Sequence, residues 1–86
     1  MTLLTSYSFN IPPTSFSVEN GNLLIAYDNK KLVHYVISEQ YALTEIASIQ
    51  LNHLVQNIKY TEGYYFLACN EYGVLCLQLD GYKKKK

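Results

Sequence analysis

The chain has 86 residues, 49% of them apolar and 14% aromatic, with seven lysines balanced by seven carboxylates and no arginine. That length allows one small domain, burying only about 60–65% of its unfolded surface, and the apolar content excludes a disordered chain. The charge is uneven, since Lys83 to Lys86 leave residues 1–82 with three lysines against seven carboxylates, and a chain without arginine is disfavoured as a nucleic-acid reader.

Nine tyrosines and three phenylalanines without a tryptophan point to strands. In chain order, Leu4 and then Ser6-Tyr7-Ser8-Phe9 alternate as a first strand, which Pro12-Pro13 ends by removing donors and fixing φ. Ser15 to Glu19 alternate again. Asn20-Gly21 is the strongest short hairpin signal in the chain, and Leu23 to Tyr27 follow as a continuous apolar strand. Asp28-Asn29-Lys30-Lys31 turn, and Leu32 to Ile37 return. Residues 41–52 read either as a strand or at helical spacing, and a helix there would make the chain α+β. Asn52-His53-Leu54 is a loop, Val55 to Tyr60 a strand and Thr61-Glu62-Gly63 a turn. The last hairpin runs from Gly63 to Gly81 around Asn70-Glu71-Tyr72-Gly73, with both arms apolar on nearly every residue, so both faces are expected to be covered.

A shift of 42 positions superposes the two halves without a gap. Phe16 falls on Ile58, Val18 on Tyr60, Gly21 on Gly63, Ile25 on Leu67, Val33 on Leu75 and Ile37 on Leu79. Leu4 falls on Ile46, Ser6 on Ser48, Tyr7 on Ile49 and Phe9 on Leu51, which selects the strand reading for 43–51. The expected class is therefore all-β, one unit over 1–82 made of two units of about 42 residues (1–40 and 41–82), followed by a lysine tail. A small β-sandwich, open barrel or meander is the alternative.

In period and turn positions the chain resembles a pair of β-propeller blades, closest to degenerate WD40 repeats. Thr61-Glu62-Gly63 and Asn70-Glu71-Tyr72-Gly73 stand at that family's turn positions, and Asn52-His53 near its Gly-His position. Gln78-Leu79 and Val36-Ile37 stand where the family has Trp-Asp. The resemblance implies four-stranded antiparallel blades, here incomplete because two blades do not close a ring. It also implies a non-catalytic interaction or scaffold role, with other proteins or the missing blades of a parent propeller as partners. By the same resemblance partners meet one loop end, which places the binding candidates at Asn29, Lys30, Lys31, Asn52, His53, Leu54, Glu71 and Tyr72, with Tyr72 as the aromatic anchor.

The residues that could carry chemistry are scattered. His34, His53, Cys69 and Cys76 lack the paired spacing of zinc sites, so no metal is expected. Cys69 and Cys76 lie on two arms of one hairpin, Cys69 opposite Val74, and read as buried free thiols rather than a disulfide. The carboxylates form no pair suited to acid–base work, and the glycines form no phosphate loop, so neither an enzyme, a cofactor nor a small-molecule substrate is expected. No apolar run reaches the ~18 residues of a membrane span, and Met1-Thr2-Leu3-Leu4 does not open a signal peptide. The expectation is an intracellular protein, cytoplasmic or nuclear. A second reading gives the Lys83–Lys86 run to an anionic partner, as in a nuclear regulatory protein.

Overall fold

A computed structural model describes residues 1–69, 73–79 and 81. The protein is all-β, with seven strands and, among the described residues, no helix. Strands β1 (Pro13–Glu19), β2 (Asn22–Tyr27), β3 (Lys31–Ile37) and β4 (Leu43–Gln50) form one antiparallel sheet in sequence order. Strands β5 (Asn57–Thr61), β6 (Tyr64–Cys69) and β7 (Gly73–Gln78) form a second. The helical reading of 41–52 is thereby excluded: residues 43–50 pair with β3, Leu43 and Glu45 on the back face and Ala47 and Ile49 on the front, the phase shifted by a bulge between them.

Tight turns set the registers. Asn20-Gly21 and Glu62-Gly63 both hold positive φ at their two central residues, the turn whose twist matches that of paired strands. The closures are the same in both sheets: Ile37 N–H donates to Gly21 C=O at 2.8 Å, and Leu79 N–H to Gly63 C=O at 2.7 Å. All five pairs of β5–β6 lie 42 positions after pairs of β1–β2, Ile58 with Leu67 following Phe16 with Ile25. Tyr64 to Ala68 pair with β7 as Asn22 to Ala26 pair with β3, again at that offset.

The strand period of two gives each sheet two faces, and the sheets stack front to back. The front of the first sheet carries Leu24, Ala26, Leu32 and His34. It packs on the back of the second, which carries Ile58, Tyr60, Tyr65, Leu67, Cys69 and Leu75. Leu51 and Val55, on the connection between the sheets, close this core. The back of the first sheet (Leu23, Ile25, Tyr27, Val33) is a second apolar cluster, covered in part by Phe9. The Phe9 ring meets Tyr27 edge-on at 5.7 Å and lies 6.2 Å from Tyr35.

Three expectations need correction. Residues 1–9 are not a strand, because no sheet edge of this chain stands where they lie. Instead Tyr7 donates its hydroxyl to Tyr41 C=O at 2.6 Å, and Phe9 lies on the first sheet. The β6–β7 hairpin is covered on one face only: Tyr64 and Phe66 are exposed, and Val74 is 68% exposed, since among the described residues nothing packs in front of the second sheet. Cys69 faces Gly73 rather than Val74, which puts Cys76 on the opposite face, so Cys69 is buried as expected but Cys76 is exposed. Both thiols are free.

Candidate functional site

Five of the binding candidates from the sequence meet at one end of the first sheet. Asp28-Asn29-Lys30 is a tight turn in which Lys30 N–H donates to Tyr27 C=O at 2.9 Å and Lys30 holds φ at 69°. Asn29 accepts the Lys31 N–H on Oδ1 at 3.1 Å, and its carbonyl accepts the Gln50 side-chain amide at 2.8 Å. The Leu51 N–H donates to Lys30 C=O at 2.8 Å, so exposed Asn52 and half-buried His53 follow directly on this turn. Asn29, Lys30, Lys31, Asn52 and His53 are thus neighbours, although Oδ1 and the carbonyl of Asn29 are spent on holding the turn. Glu71 and Tyr72, the proposed anchor among them, lie outside the described residues, as does the Lys83–Lys86 tail.

A buried polar cluster lies between the sheets. His34 is 1% exposed, with Nε2 at 2.8 Å from Asn22 Oδ1 and Nδ1 at 2.7 Å from the Tyr65 hydroxyl. An amide oxygen only accepts, so Nε2 carries the hydrogen, Nδ1 accepts, and Tyr65 donates. The Tyr60 and Tyr65 rings meet the imidazole edge-on at 4.7 and 5.5 Å. Burial lowers the His34 pKa, and burial followed by the Tyr60 charge pushes Tyr65 up to about 12. On the other face, burial and then the Tyr35 hydroxyl at 2.9 Å raise Tyr27. Among the described residues no buried side-chain N or O atom lacks a partner. Both nitrogens of His34 are committed to other side chains. The cluster therefore fastens two sheets together.

The sequence marks His34 only as a mid-strand residue. Its bond to Asn22 was within reach, since the β2–β3 register sets Asn22 diagonally beside His34 on one face. Tyr65 was not, because it arrives from the other sheet.

Two features remain open. A cleft of about 310 Å³ separates β4 from β7, floored by Leu32 and His34 and walled by Ile46, Ile49, Leu77 and Leu79. It exists because the first sheet has four strands and the second three. Beside it the front of the second sheet presents Tyr64, Phe66, Val74 and Cys76 to solvent. The counterparts of Phe66, Val74 and Cys76 42 positions earlier (Leu24, Leu32 and His34) are 1–3% exposed. Among the described residues no three His, Cys, Asp or Glu side chains are placed to hold a metal ion, and no helix is long and apolar enough to cross a membrane. The open region is apolar, and what it can do is pack. Compared with protein-family models, curated proteins and solved structures, the chain matches none.

Proposed function

We propose that the chain is a non-catalytic protein-interaction and scaffold module, built as one complete and one partial blade of the WD40-like β-propeller type. The observation that carries this reading is the front-to-back stacking of two sheets whose registers differ by 42 positions. Such stacking does not terminate itself: it leaves the front of the last sheet and the back of the first as apolar faces. Contiguous exposed apolar surface of this kind marks interaction sites, and Phe66 and Tyr64 supply the aromatic side chains that dominate interface energies. The saturated His34 cluster supports a structural role over a catalytic one.

Affinity capture with the immobilised chain tests this. Capture of protein is expected to persist at high salt and after deletion of 83–86, and to be lost with Phe66→Lys. A chain that captures nothing, or captures only through the lysine tail in low salt, would overturn the reading in favour of an anionic partner.

A further inference from the structure

We infer that the partner of the open face is a second copy of this chain, whose residues 1–9 add to the free edge of β7 as the missing fourth strand. The inference rests on the blade-type reading above and specifies the partner of that surface.

The first argument is positional. Residues 1–9 stand 42 positions before residues 43–51, which contain β4. Among the described residues the second sheet has no strand equivalent to β4, and residues 1–9 form no strand where they lie. The chain therefore has one strand-like segment without a sheet and one sheet without its outer strand.

Direction excludes the chain's own β7. Residues 51–56 lead from the outer strand of one sheet to the inner strand of the sheet on its front. Residues 9–12 hold the equivalent connection, and they lead into β1. A strand made of 1–8 thus belongs to a sheet behind the first one, whereas the chain's own β7 lies in front of it. A second copy supplies a β7 there.

Chemistry agrees with position. In the β3–β4 register Leu32 faces Ile49, His34 faces Ala47, and Tyr35 faces Glu45 across a bulge. Moved by 42, Val74 faces Tyr7, Cys76 faces Thr5, and Leu77 faces Leu3. Leu3 is 82% exposed in the single chain, and beside Leu77 it would fill the cleft between β4 and β7. The two outer edges also differ. That of β4 carries a bulge and Glu45, features that block further pairing. That of β7 reads Gly-Val-Leu-Cys-Leu-Gln, with neither charge nor proline to block a strand.

The same step brings the front of the second sheet (Phe66, Val74) onto the back of the next copy's first sheet, where Phe16 is 69% and Val18 54% exposed. Phe16 and Val18 are the counterparts of Ile58 and Tyr60, which already pack on the front of the first sheet within one chain. The contact repeats an interface that the chain itself contains. It is heterologous, so assembly closes into a ring of two or more copies or extends.

Cross-linking and sizing test this on the full chain. T5C sets a thiol opposite Cys76 of the second copy, and mild oxidation is expected to give an intermolecular disulfide between these two positions, mapped by peptide mass spectrometry. E19C, at a distant turn, should give no such product. By light scattering the wild type should form a ring of two or more copies or larger species, while Thr5→Pro and Phe66→Lys become monomeric and lose in far-UV circular dichroism only the strand signal of residues 1–9. A monomeric wild type, or oligomers indifferent to both substitutions, would overturn the inference. A monomer that still captures other proteins through Phe66 removes the second copy and leaves the interaction module standing. A monomer that captures nothing removes both.

Discussion

Tyr65→Phe probes the joint between the two sheets without changing its volume. The substitution removes only the hydroxyl that donates to His34 Nδ1 at 2.7 Å, at a position where Tyr65 is 5% and His34 1% exposed. An ordinary hydrogen bond contributes about 0.5–1.5 kcal/mol net, but a buried acceptor left without a donor costs about 1–3 kcal/mol. The second figure applies, because the Tyr60 and Tyr65 rings enclose the imidazole and its Nε2–H is already engaged by Asn22. We expect a loss of about 1–3 kcal/mol in urea unfolding followed by circular dichroism. Melts must be compared at one protein concentration, since association shifts apparent stability. Pairing Tyr65→Phe with His34→Leu in a double-mutant cycle should return a coupling above about 0.5 kcal/mol. A Tyr65→Phe protein within about 0.5 kcal/mol of wild type would refute the assignment of the proton and of the inter-sheet bond.

Leu67→Ala deletes a fully buried side chain between the sheets and should cost about 2–5 kcal/mol, read as a lowered urea midpoint; a smaller loss would mean the sheets do not pack as described. Burial holds the folded pKa of His34 below its unfolded value near 6.5, so as pH falls below about 6.5 the unfolded chain binds more protons. Stability is therefore expected to fall from pH 7 towards 5 and, at the other extreme, above pH 10 as the unfolded chain's Tyr65 ionises first; the acid slope should shrink in His34→Gln. Lys30→Gly relieves a left-handed residue, worth about 1–2 kcal/mol, against an unfolded-chain penalty of about 0.4–1 kcal/mol, and should raise the midpoint slightly. A lowered midpoint would contradict the turn geometry.

Much of the fold was legible because turns and alternation are local. Asn20-Gly21 fixed one hairpin, and Gly63 and Gly73 bracketed another, so β2, β3 and β6 could be placed within a residue or two. Residues 1–9 misled for a physical reason. Alternation shows that a segment suits a pleated surface, but a strand needs an edge to pair with, and the chain leaves that edge out of reach. Pro13 was read as a strand terminator, yet it begins β1 at an outer edge, where a missing N–H costs nothing.

Burial was the harder property to read, and Phe66 shows why. It lies 42 positions after Leu24, on the same face, in the same register, and with more apolar surface. Leu24 is 1% exposed and Phe66 41%. No local pattern separates them, since the difference is a neighbouring sheet: Leu24 has Tyr65 and Leu67 in front of it, and Phe66 has solvent. The apolar character of Phe66 and Val74 would be a liability on a surface meant to stay wet, because exposed flat apolar strands template association. An inner-facing composition on an outer face is what a sheet awaiting its neighbour would carry. The expected burial of both hairpin faces therefore fails on the front of the second sheet, where Phe66 and Val74 are exposed.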